Sequence, residues 1–245
     1  MKQSLIKSAL ALAALCGVAG TASASVITFD GLESSPNAQL MPFLLHGDEF
    51  YQSGFWIDPF SNAGGAQVGD LVGAIVDGSN LGGTCLSVLC PSNNQTNFFT
   101  GVNDGVLALG RMNGANFQVK GFDASFVGNG DPLPAVAGLL ELQGHKADGS
   151  GFAIERYQLG GTDAQGALNF GHYNPSAAFA GTQFDYVVAF TYACNAAGSC
   201  SRFSTDRGQF ALDNLDLMEI PEPASLALTA LALGMAGFAR RRRSA

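Results

Sequence analysis

Two close cysteine pairs, Cys85 with Cys90 and Cys194 with Cys200, are the residues of this chain whose type and spacing most directly allow bond chemistry. An even set of thiols in an exported chain oxidises to disulfides. Three connectivities exist, and the short spacings favour Cys85–Cys90 and Cys194–Cys200, each pinning a small loop. Zinc is the alternative, but four and five intervening residues and no neighbouring histidine suit a tetrahedral site poorly. His46, His145 and His172 lie far apart, outside any H-x-H or H-E-x-x-H pattern, and read as solvated or structural. Ser150 sits in the turn Gly149-Ser150-Gly151 without the G-x-S-x-G spacing of a nucleophile elbow. Asp48-Glu49 and Asp213 with Asp216 are the carboxylates that a secreted glycoside hydrolase would need. Acidic residues of this kind read as solvated turns, so the catalytic set is empty and the chain reads as a non-enzyme. Trp56 with Tyr51, or Tyr157 with Tyr173, supply aromatic faces on which a sugar ring can stack, against the plainer reading as core packing.

The two ends carry chemistry of another kind. Lys2 and Lys7 precede the apolar stretch Ala9 to Val18, and Ala22-Ser23-Ala24 fits the small-x-small rule of signal peptidase. Residues 1–24 therefore read as a secretory signal peptide, cut between Ala24 and Ser25. Cys16 is not a lipidation site, because Leu15 before it is not small. At the other end stand Pro221-Glu222-Pro223, the sixteen mostly small and apolar residues Ala224 to Ala239, and Arg240-Arg241-Arg242-Arg243. Sixteen helical residues cover about 24 Å, marginal for a hydrocarbon core of about 30 Å. The four arginines hold their flank in the cytoplasm and place the body on the far side of the membrane. The two prolines keep the junction extended and accessible to a processing enzyme. The logic parallels a removable lipid-anchor signal; a membrane anchor that is never cut is the alternative.

Between the ends lies a body, residues 25–220, large enough for one sizeable domain. Of the 12 basic and 20 acidic residues, it keeps 6 and 19, a net charge of −13. That balance argues against nucleic acid and against an anionic membrane surface, which both need a cationic face. Glycine stands at about twice its usual share and charged residues are few. The apolar period along the body is mostly two. Strands are expected at Val26–Phe29, Phe50–Ile57, Leu71–Val76, Val106–Leu109, Phe117–Val127, Asp185–Ala193 and Phe210–Leu217. Ala135–Gly144 and Phe152–Leu159 flank Asp148-Gly149-Ser150-Gly151 and read as a hairpin. Asn103-Asp104-Gly105 is a turn, and Ser92–Asn97 reads as an exposed loop. No helical stripe of useful length appears. The expected fold is all-β, an antiparallel β-sandwich or barrel.

The terminal pattern resembles the PEP-CTERM sorting signal of Gram-negative bacteria, the substrate tag of exosortases. Val26-Ile27-Thr28-Phe29-Asp30-Gly31-Leu32 resembles the first strand of many PEP-CTERM proteins. Arg202-Phe203-Ser204-Thr205-Asp206, with Phe210-Ala211-Leu212-Asp213-Asn214-Leu215, resembles a group with a Q-F-x-T-D signature, Arg202 standing where that pattern has Gln. The resemblance implies a chain exported across the inner membrane, held there transiently by residues 221–245, then released to the cell surface or to an exopolysaccharide (biofilm) matrix. Its partners would be signal peptidase, exosortase and extracellular polysaccharide. Such bodies look like jelly-roll carbohydrate-binding modules, in which a structural calcium often ties the first strand to the last; Asp30 and Asp213 would be the ligands here.

Overall fold

The computed structural model describes residues 23–34, 41–204 and 207–220. The strands run in chain order β1 (Ala24–Ile27), β2 (Glu33–Ser34), β3 (Phe43–Leu45), β4 (Phe50–Gln52), β5 (Phe55–Ser61), β6 (Leu71–Asp77), β7 (Asn97–Gly101) and β8 (Gly105–Arg111). They continue as β9 (Phe117–Phe126), β10 (Val136–Lys146), β11 (Phe152–Gly160), β12 (Gly171–Tyr173), β13 (Phe184–Cys194), β14 (Cys200–Ser201) and β15 (Phe210–Glu219). Among the described residues helix is confined to a 3-10 turn at Leu81–Gly83 and one α-turn at Ala177–Ala180. None is long and apolar enough to cross a membrane; the stretch Ala224 to Ala239 lies outside the described residues.

The antiparallel all-β expectation holds. Hydrogen bonds join the strands into one curled network in the order β2-β4-β5-β8-β13-β9-β15-β7-β6-β3, with β10 and β11 extending from β13. The chain's first and last strands are partners: Ala24 faces Met218 and Ile27 faces Leu215. The hairpin β10–β11 forms in continuous register from Gly138↔Leu159 to His145↔Phe152.

Period two decides what is buried. In β9, Phe117, Val119 and Phe122 turn inward while Gln118 and Lys120 stay half-exposed. Among the described residues twelve phenylalanines are buried, including Phe99 and Phe210 with ring centroids 5.7 Å apart and Phe55 edge-on to Phe117. Such rings need bare backbone beside them. A Cβ on Gly144 would stand 2.3 Å from the Phe184 ring.

Two expectations change in detail. Phe50–Ile57 is a hairpin and not one strand: Ser53 and Gly54 have φ of 51° and 78°, the positive pair of a tight two-residue turn. Asn97 opens β7, so the expected loop Ser92–Asn97 ends one residue earlier, and Phe98 and Phe99 carry the chain back into the core. The turn at Asn103-Asp104 is present, both residues having positive φ. Disulfides join Cys85 to Cys90 and Cys194 to Cys200, with Cα separations of 6.1 and 4.0 Å. The first closes a loop against the small cluster around Val76 and Phe98; the second closes the β13–β14 hairpin.

Candidate functional site

Side chains facing the core account for half of each strand; the other half of β5, β8, β13, β10 and β11 lines an open groove of about 730 Å³. The register assembles it row by row. Trp56 lies opposite Gly110, Gly110 opposite Tyr186, Tyr186 opposite His145, and His145 opposite Phe152. Tyr51 on β4 faces Trp56 and prolongs this row at the rim. One pleat further, Asp58, Ala108, Val188, Gln143 and Ile154 form a second row by the same pairings. Phe190, Glu141 and Arg156 continue into a third.

The first row is a continuous aromatic surface. His145 stacks on Tyr186 at 4.0 Å with 15° between planes, and Trp56 lies 6.5 Å from the same tyrosine. Gly110 is the bare floor beneath it, since a Cβ there would stand 2.5 Å from the indole. Burial lowers the pKa of His145, with Asp185 opposing. Burial and the nearby Glu49 push the Asp58 carboxyl up to about 6 against the pull of His46.

The third row holds a buried charge. Glu141 is 2% exposed. It accepts from Arg156 Nε at 2.6 Å and from the Tyr192 hydroxyl at 3.1 Å, and Arg202 Nη1 lies 3.5 Å from its other oxygen. Arg202 also lies over the rings of Phe190 and Tyr192, 4.9 Å from each. Both arginines of the groove are thus committed to one carboxylate. Asp58 and Glu141 stand on strands three spacings apart, about 14 Å along the sheet backbone.

The remaining sequence candidates fall elsewhere. Tyr157 and Tyr173 are not a sugar platform: Tyr157 is 8% exposed, and both rings pack on Phe122. Asp48 is buried and accepts from the Leu45 backbone N–H, and Glu49 accepts from the Tyr51 hydroxyl. Ser150 donates its backbone N–H to Asp148 in a turn. His46 accepts from the Ser61 N–H, and His172 contacts Asp123 at 2.7 Å.

Asp30 and Asp213 come together at the junction of β1, β7 and β15. Asp30 accepts from the Asn97 N–H at 3.1 Å, and Asp213, fully buried, accepts from Asn94 Nδ2 at 2.6 Å and from the Asn214 N–H at 2.7 Å. A left-handed Asn214, φ 48°, turns its amide to bridge Asp213 and Asp123. Burial pushes Asp213 up to about 6 from its ordinary 3.8, helped by the charges of Asp123 and Asp30 and opposed by the two asparagine donors. Among the described residues no set of three or more His, Cys, Asp or Glu is spaced to hold a metal ion. Ala24, on the expected cleavage boundary, is the first residue of β1, and Ser25 bonds Glu219 across the β1–β15 pair. Pro221, Glu222, Pro223 and Arg240 to Arg243 lie outside the described residues.

The raised Asp213 carboxyl fixes the sign of a pH effect. Between about pH 4 and 6 the folded chain keeps a proton that the unfolded chain has lost. Stability from this group is therefore greatest below that window and falls as pH rises through it. Asp58 acts with the same sign. Asp213→Asn is expected to flatten the fall of melting temperature between pH 4 and 6; an unchanged slope would assign the effect to other groups.

The sequence reading found Trp56 and Tyr51 but not Tyr186, Glu141 or Arg156; it read His145 as solvated or structural and met Arg202 only as a departure from a motif. The available signal was the alternation Tyr186, Val188, Phe190, Tyr192, which places three rings on one face of β13.

Residues 219–243 match the PEP-CTERM protein-sorting motif. The motif implies secretion with a C-terminal sorting signal. No curated protein matches the chain. Among solved structures, a DUF4465 family protein from Bacteroides caccae is similar at 13% identity and TM-score 0.47, over 81% of this chain and all of that one. A second DUF4465 protein, from Bacteroides ovatus, is similar at 8% identity and TM-score 0.39 with the same coverage.

Proposed function

We propose that this is a non-enzymatic exported protein, sorted by exosortase to the cell surface or to an exopolysaccharide matrix, whose body binds carbohydrate there. The sorting motif at residues 219–243 supports the route, and the aromatic groove supports the binding role. In this reading signal peptidase cuts between Ala24 and Ser25, residues 25–220 fold outside the inner membrane, and residues 221–245 hold the chain there until exosortase acts. Membership of the group with a Q-F-x-T-D signature belongs to the same proposal; Arg202 replaces its Gln and serves the groove by closing on Glu141. The single observation that carries the binding role is the row from Trp56 to Phe152, a half-exposed ladder of rings beside the polar groups of Asp58 and Gln143. The commitment of Glu141 to Arg156, Tyr192 and Arg202 weighs against the glycoside hydrolase alternative.

The test is retention of the exported protein on polysaccharide secreted by the same bacterium. Binding lost in a Trp56→Ala variant is expected; equal recovery with and without polysaccharide would sink the binding role. A structural calcium on Asp30 and Asp213 is a further part of the proposal. Loop carbonyls would complete its shell, and it would relieve the buried charge of Asp213. It predicts a melting temperature that climbs with millimolar calcium, and identical midpoints in chelator would remove it.

A further inference from the structure

The groove's lining charges sum to zero, Arg156 and Arg202 against Glu141 and Asp58, and this limits what can lie in it. Arg156 and Arg202 are both held on Glu141. Arg156 gives its Nε to Glu141 and its Nη2 to the Tyr192 hydroxyl, and Arg202 lies flat over Phe190 and Tyr192. Asp58 adds a further acid to the floor. Burial disfavours the charged form of His145, and the body as a whole carries 19 acidic against 6 basic residues. A polyanion entering this neutral groove meets the repulsion of an acidic body, screened by salt beyond about 8 Å. A plain hydrocarbon is also a poor match, because the aromatic row runs directly beside Asp58 and Gln143, whose polar groups it would bury unpaired. A ligand with apolar ring faces and a rim of hydroxyls satisfies both rows at once. The first row crosses six strands from Tyr51 to Phe152, about 24 Å at the usual strand spacing, and it is open along its length, which suits an extended chain of several sugars better than one small molecule.

We infer that the groove binds a neutral glycan chain, its sugar faces stacked on Trp56 and Tyr186 and its hydroxyls bonded by Asp58, Gln143 and the Glu141–Arg156 pair. This rests on the carbohydrate-binding reading above and adds to it the charge class of the ligand and the residues that select it. Tyr186 and His145 act as one platform because they are already stacked. Glu141, bonded by Arg156 and Tyr192 and approached by Arg202, holds the Arg156 guanidinium in place for a sugar hydroxyl.

The test is calorimetric titration of the processed protein, purified from the exporting bacterium. The probes are neutral hexasaccharides of β-1,4-glucose, α-1,4-glucose and β-1,4-mannose, and the acidic hexamer of α-1,4-galacturonate. At least one neutral probe is expected to bind, with little dependence on salt, and galacturonate is not. Trp56→Ala and Gln143→Ala, both at half-exposed positions that leave the core untouched, should each weaken binding by about tenfold or more, or 1.4 kcal/mol. Arg207→Ala, paired with Asp131 outside the groove, should bind as the parent does. Galacturonate binding that falls steeply with salt would overturn the neutral assignment and leave a carbohydrate-binding protein. Neutral binding unaffected by Trp56→Ala and Gln143→Ala would move the site elsewhere on the body. Binding of none of the four probes would overturn the inference; retention on the native secreted polysaccharide then decides whether the broader reading falls with it.

Discussion

Phe210→Ala is expected to lower the melting temperature of the body by about 6–20 °C. The ring is fully buried in β15, stands 5.7 Å from Phe99, and covers Gly101, where a Cβ would lie 2.7 Å from it. Truncating such a phenylalanine costs about 3–5 kcal/mol, transfer and cavity together, and in a domain of this size each kcal/mol moves the midpoint by about 2–4 °C. The surroundings relax poorly, because β15 is hydrogen-bonded on both sides, to β9 and to β7 and β1. The matched control is Phe152→Ala. That ring is 51% exposed at the edge strand β11, and its loss should shift stability by no more than about 0.5 kcal/mol. Thermal unfolding of both variants checks the pair. Similar small shifts would mean that β15 is not the central strand of the fold.

Deleting residues 221–245 is the second large effect, and it acts on location instead of stability. Those residues follow the last residue of β15, Glu219, so their loss should leave the body's melting temperature unchanged. The sorting motif at 219–243 is then incomplete, and the truncated chain should leave the inner membrane and appear as soluble exported protein. Fractionation and intact mass spectrometry read the outcome. The full-length parent should mature with Ser25 at its start and without Arg240 to Arg243. A surface form that keeps those arginines would replace the sorting signal with a plain anchor, and one that still begins at Met1 would refute the signal peptide.

Much of this was present in local pattern. Period-two alternation and tight-turn residues such as Asn103-Asp104 state the strand content, because the pleat turns side chains to opposite faces whatever the partners are. Close cysteine spacing states which pairings are short enough to form locally, and small, apolar and cationic blocks at the ends state export, because a translocating membrane reads linear segments. Partnering is a different kind of fact. Whether Tyr186 meets His145 or Tyr157 meets Phe122 depends on registers between strands far apart in sequence, and a slip of one residue would send Trp56 into the core and Ile57 to the groove. The same sequence signal, an aromatic in a strand, therefore described Trp56 and Tyr157 equally well, and only the curled sheet separated the exposed ring from the buried one. Glu141 was hidden for a related reason: a carboxylate inside an apolar run is tolerable only when Arg156, Tyr192 and Arg202 reach it from two other strands and a loop. The sequence by itself determined an exported, all-β, acidic body with a sorting tail. The tertiary structure decided which rings face solvent, which charges cancel, and so where on that body a ligand can lie.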